Sequence, residues 1–178
     1  MAKKYVLTGG PGVGKSTTLK VLSNKKGVCT LREAATYVIT QELDKEKQGK
    51  EAQLPWTDRD GFQKRVLEQQ LRWEEGIPFH ARIFLDRGVI DGLAYYRLDG
   101  ITPPKELEKA AEESRYDKIF LLERLTSFER TTTRREDLET AQKLHYLVEK
   151  EYKKYGYNPI RIPEADPESR AHNILGLY

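Results

Sequence analysis

Sulfur is scarce in this sequence: its 178 residues include one cysteine, Cys29, and one methionine. A lone cysteine excludes an intramolecular disulfide and argues against a cysteine-based zinc site. Cys29 is expected in a strand near residues 28–31, as a small buried hydrophobe rather than a reactive thiol. Long apolar runs are also missing. No window approaches the roughly eighteen apolar residues of a membrane span. The start, Met1-Ala2-Lys3-Lys4-Tyr5-Val6-Leu7, turns glycine-rich after three apolar residues and lacks the apolar stretch of a signal peptide. The expectation is a soluble cytoplasmic protein with no membrane partner. An excess of one charge is absent too, with 31 Lys and Arg against 28 Asp and Glu for a net +3. Nucleic-acid binding usually shows a clustered basic face, so that partner is not expected. Repeats, low-complexity tracts and Pro/Gly/Ser linkers are lacking, and the length suits one α/β domain over residues 1–178.

What is present alternates between strand and helix. Apolar runs at 5–8, 28–32, 81–85, 118–122 and 159–162 read as strands. Helical stretches are expected at 15–23, 33–47, 58–75, 89–98, 136–155 and from Asp166-Pro167 onward. A further helix to Ser114 is expected to open with Thr102 as N-cap and Pro103 at the first helical position. Leu138, Ala141, Leu144, Val148 and Tyr152 would form the buried face of the 136–155 helix, with Gly156 closing it. Strands separated by helices argue for a parallel sheet covered on both faces. Ligands of such sheets bind beyond the carboxyl ends of the strands, so the residues there come first.

Directly after the first strand stands Gly9-Gly10-Pro11-Gly12-Val13-Gly14-Lys15-Ser16-Thr17, a match to the phosphate-loop pattern that runs straight into a helix. Its glycines let the backbone curl so that successive N–H groups point inward as an anion nest. The helix N-terminus adds unpaired donors and about half a positive charge. Lys15 suits the β- and γ-phosphates, and the Ser16 hydroxyl suits Mg²⁺. Residues 9–17 are thus expected to hold ATP, with GTP as the alternative.

The third strand ends in Asp86-Arg87-Gly88. An acid there suits the metal or its water shell, so Ser16 and Asp86 form the expected Mg²⁺ pair. Arg87 carries a fork suited to a phosphate or another anionic group. After the second strand, Glu33 suits a general base for an attacking hydroxyl, ahead of the competing reading as an acidic residue in the first turn of its helix. The Arg-rich connection at 123–136 is read as a lid, with Arg134 and Arg135 placed to neutralise charge at the transferred phosphoryl group. Gln69 and Gln70 suit hydrogen bonds to an acceptor or a solvated position, and His80, His145 and His172 are too scattered to suggest a metal cluster.

These motifs, with Arg32-Glu33-Ala34-Ala35, Asp91, Ala94-Tyr95-Tyr96, Arg134-Arg135-Glu136-Asp137 and Tyr155-Gly156-Tyr157, resemble the NadR-like AAA-type P-loop ATPase family, which includes ribosylnicotinamide kinase domains. Asp86-Arg87 is more distantly similar to the acid–Arg pair of thymidylate and deoxynucleoside kinases. In those kinases the pair serves the acceptor and metal site. The resemblance implies a five-stranded parallel sheet in the order 2-3-1-4-5, sandwiched by helices, with a lid after the fourth strand. The leading expectation is an Mg·ATP-dependent kinase of a small metabolite: a nucleoside, a nucleotide or nicotinamide riboside. Either Glu33 or Asp86 would serve as its base. The alternative is a nucleotide-gated switch or slow NTPase. No motif names the acceptor, and the oligomeric state is not legible.

Overall fold

The computed structural model describes residues 1–124 and 138–178. Among them the strands β1 (Lys3–Thr8), β2 (Cys29–Leu31), β3 (Arg82–Asp86), β4 (Lys118–Leu122) and β5 (Ile160–Ile162) build one sheet. Its order is β2-β3-β1-β4-β5, with each pairing parallel, as the resemblance implies. The helices are α1 (Lys15–Ser23), α2 (Ala34–Lys47), α3 (Arg59–Glu75), α4 (Val89–Leu98), α5 (Lys105–Glu113), α6 (Leu138–Lys154) and α7 (Pro167–Leu177).

Successive strand residues face opposite sides, and the register carries this across the sheet. Val6 stands opposite Leu85 and Ile119, and these three join the core beneath α4, α5 and α6. Tyr5 stands opposite Phe84, and Leu7 opposite Phe120. These four pack on the other face with Leu19 and Leu22 of α1 and Ala171 and Ile174 of α7. Both faces are covered, which is why the inner strands read as unbroken apolar runs. A smaller cluster of Val38, Ile39, Leu54 and Phe62 joins α2 to α3 away from the sheet.

Three expectations need correcting. Cys29 is exposed, because β2 is a three-residue edge strand and its first side chain reaches solvent. Leu138 is exposed at the start of α6, whereas Ala141, Leu144, Val148 and Tyr152 are buried there. The helix after residue 100 begins at Lys105, with Pro104 and not Thr102 as its N-cap. The cause is the Pro103-Pro104 pair: a residue preceding proline is pushed out of helical geometry. The lid expected at 123–136, apart from residues 123–124, lies with Arg134 and Arg135 in 125–137, outside the described residues.

Candidate active site

Leu7 pairs with Asp86 and Leu31 with Leu85, so the carboxyl ends of β1, β2 and β3 lie side by side. That register gathers the glycine loop, Asp86-Arg87 and Glu33 at one edge of the sheet. Positive φ calls for glycine at three loop positions, Gly12 at +80° among them. Gly14, the N-cap of α1, has φ +83°, and Gly9 has φ +131°. A Cβ on Gly9 would stand 2.9 Å from the Leu122 carbonyl oxygen. Pro11, Gly12, Gly14, Lys15, Ser16 and Thr17 line a cavity of about 690 Å³. Gly9, Gly10 and Val13 do not line it, and Val13 is buried in the core. The Thr17 hydroxyl donates to the Gly14 carbonyl at 2.8 Å.

Lys15 is 6% exposed, and its Nζ donates to the Gly10 oxygen at 2.8 Å and the Gly9 oxygen at 3.3 Å. Burial pushes its ammonium down to about 8, and the Arg87 charge adds to the shift. Ser16 Oγ donates to Asp86 Oδ2 at 2.7 Å. Asp86 Oδ1 is buried and has no hydrogen-bond partner among the described residues. Burial first, and the Glu33 charge second, raise the Asp86 pKa. A carboxylate with one orphaned oxygen beside a serine hydroxyl suits a hard cation. Mg²⁺ takes one or two protein oxygens and completes its shell with phosphates and water. Among the described residues no group of three His, Cys, Asp or Glu suited to a metal occurs.

Arg87 is the residue whose setting was least legible. Its φ is +71°, a left-handed backbone that costs a non-glycine residue about 1–2 kcal/mol. Its bonds hold it there. The backbone N–H donates to the Leu7 oxygen at 3.0 Å. Nε donates to Glu33 Oε1 at 2.7 Å, and Nη1 donates to Asp91 Oδ1 at 2.9 Å and the Gly9 oxygen at 3.0 Å. The guanidinium also stands 5.6 Å from the Tyr95 ring centre. Glu33 is the N-cap residue of α2, yet its side chain makes no cap bond. Instead Oε2 accepts from the Thr36 hydroxyl at 2.5 Å. Burial opposes ionisation of Glu33, but Arg87, Lys15 and these hydrogen bonds outweigh it and hold its pKa below the usual carboxylate range.

From this cluster the cavity continues between α2, α3 and α4. Ile39, Phe62, Val66 and Leu107 form apolar walls, while Gln63 and Gln70 add polar groups. Gln70 is buried, donating to Glu74 at 2.8 Å, whereas Gln69 does not line the cavity. Three further residues escaped sequence reasoning as supports. Asp91 is 2% exposed and accepts from Thr8 Oγ1 at 2.6 Å, Gly88 N at 3.0 Å and the Tyr152 hydroxyl at 2.7 Å, besides Arg87. Its spacing of four from Arg87 was a usable signal. Arg170 is buried in α7 and donates to the backbone oxygens of Val13, Pro163 (3.0 Å) and Glu123 (2.7 Å). His145 of α6 accepts from the Gly10 N–H. Neither of these two carries a local sequence signal.

Comparison with known proteins places the fold. A family model described as an AAA domain matches residues 4–170. Thymidylate kinase from Ehrlichia chaffeensis is similar with a TM-score of 0.64 at 12% identity, covering 99% of this chain and 98% of that one. Deoxyadenosine kinase from M. mycoides, solved with the products dCMP and dCDP, gives 0.66 at 15% identity, covering 98% and 97%. A NadR protein in complex with NR gives 0.70 at 17% identity, covering 98% of this chain but only 50% of that one. At these identities the likeness shows the fold alone. No curated protein matches the chain in sequence. No described helix is long and apolar enough to cross a membrane.

Proposed function

The chain belongs to the AAA-domain family, and from that premise we propose that it is an Mg·ATP-dependent kinase acting on the hydroxyl of a small nucleoside-type acceptor. The observation that carries this reading is the Glu33–Arg87–Asp91 chain beside Lys15, opening into an apolar cavity between α2, α3 and α4. The triphosphate lies on residues 9–17, where Lys15 and the loop amides meet the β- and γ-phosphates. Ser16 and Asp86 would hold Mg²⁺, which neutralises charge on the phosphate oxygens. The acceptor sits in the cavity with its hydroxyl at Glu33. Its oxygen attacks the γ-phosphorus, the β–γ bridging bond breaks, ADP leaves, and the hydroxyl proton passes to Glu33. Glu33 is the better base of the two candidates. Its environment keeps it ionised, whereas Asp86 is bonded to Ser16 and suits the cation.

The same cluster bears on the acceptor's charge. Two carboxylates already engage Arg87, so it offers little net positive charge to a phosphate ester. This favours an unphosphorylated nucleoside or nicotinamide riboside over a nucleotide. The neighbour in complex with NR and the one named a deoxyadenosine kinase support that class, whereas the neighbour named a thymidylate kinase points to a nucleotide.

The test is ADP release from Mg·ATP with a panel of nucleosides, nucleotides and nicotinamide riboside. At least one unphosphorylated compound should stimulate turnover and appear as its monophosphate. Turnover independent of every acceptor, without phosphorylated product, would instead mark a nucleotide-gated NTPase. Stimulation by nucleotides alone would overturn the acceptor class. In the same assay Glu33→Gln should lower kcat about a hundredfold with little change in ATP affinity. A loss under threefold would remove Glu33 from the proton's path.

A further inference from the structure

Resting on the reading of residues 9–17 as the triphosphate site, we propose that His145 is a positioning residue for that loop, its neutral imidazole fixing the Gly9–Gly10 peptide. Nδ1 accepts from the Gly10 N–H at 3.2 Å. In a trans peptide the N–H and the preceding C=O point in opposite directions. The Gly9 oxygen accepts from Arg87 Nη1 at 3.0 Å and Lys15 Nζ at 3.3 Å. One peptide is therefore gripped from both sides, by two cations on its carbonyl and by an imidazole on its amide. With Gly9 at φ +131°, no Cβ restrains this peptide, so its orientation depends on those partners. Helix α6 is pressed against it: a Cβ on Gly10 would lie 2.6 Å from the Ala141 oxygen and 3.1 Å from His145 Cβ.

Accepting at Nδ1 places the ring proton on Nε2. That atom is buried without a hydrogen-bond partner among the described residues and faces Glu123 Oε2 at 3.6 Å. A second proton would have to sit on Nδ1, donor against donor with Gly10. The groups facing the ring are Glu123 after β4, Arg161 of β5, Lys15 of the loop and Glu149 of α6. Arg161 is shared by Glu123 and Glu149 at 2.5 Å each. Burial holds the imidazole below its usual range, Arg161 and Lys15 reinforce this, and Glu123 and Glu149 oppose it. At neutral pH the accepting form is therefore in place, and it is lost as pH falls through that lowered value.

The experiment is calorimetric binding of Mg·ATP by the full chain from about pH 8 to about pH 5, with His145→Asn and His145→Ala, whose folds are checked by circular dichroism. Asparagine keeps an acceptor oxygen near the Nδ1 position and does not titrate. At neutral pH His145→Asn should bind within about twofold of the parent, and His145→Ala about five- to tenfold more weakly. On acidification the parent should lose about fivefold more affinity than His145→Asn, the nucleotide's own protonation being common to both. Parallel pH profiles, or an Ala variant that binds like the parent, overturn the role of His145. A folded parent that takes up no Mg·ATP overturns the reading of the loop itself, and this role with it.

Discussion

Lys15→Ala lowers kcat for phosphoryl transfer by about a thousandfold and leaves the thermal midpoint within about 3 °C of the parent. The first half follows from where the ammonium sits. It is buried beside the loop and held by two of its carbonyls, and under the proposed function it would exchange them for phosphate oxygens as charge develops there. The second half follows from its pKa. The folded value lies near 8, below the 10.5 of a free lysine, because burial disfavours the charge. The folded state thus binds fewer protons than the unfolded chain between those values, and stability rises with pH there. Below about 8 the cost is fully present, so removing the ammonium takes away a penalty that offsets the lost packing of its stem. Turnover measured at saturating Mg·ATP and acceptor, together with a melting curve, checks both halves. A folded Lys15→Ala with undiminished kcat would remove this residue from the γ-phosphate.

Asp91→Ala destabilises the fold by about 3–5 kcal/mol, or about 10 °C in thermal midpoint. Four donors converge on this carboxylate, from Thr8, Arg87, Gly88 and Tyr152, and it is 2% exposed. Truncation leaves a buried guanidinium with Glu33 as its remaining carboxylate, and two buried hydroxyls without their acceptor. Burial and the Asp91 charge push the Tyr152 phenol up, so it stays a donor throughout the neutral range. Activity should fall as well, because Arg87 orients Glu33 from a left-handed backbone that these bonds hold in place. Urea unfolding gives the stability, and a loss below about 1 kcal/mol would show that the network is not a structural anchor.

Much of the sheet was legible because apolar strands and helix signals are local. The strand at 118–122 and the helices at 15–23 and 89–98 occur as expected, and Asp166-Pro167 does open α7 with the Asp166 carboxylate accepting from Ser169 N. The Pro103-Pro104 pair misled because two local rules competed, and the restriction on a residue before proline outweighed the capping preference of Thr102. Cys29 misled because strand residues are buried only where another layer covers them, and edge position is a property of the whole sheet. The strand order itself came from family resemblance, not from periodicity.

By itself the sequence determined the glycine-rich loop between β1 and α1, since its glycines, its lysine and the helix that follows are consecutive in the chain. It also determined that an acid would stand after an apolar strand at Asp86. Only the tertiary structure decided what Arg87 and Glu33 face. Their pairing crosses 54 residues, and the His145 and Arg170 contacts to the loop cross 135 and 157. Such contacts depend on how helices dock against a sheet. Many packed side chains set that docking together, and no short stretch of sequence encodes it.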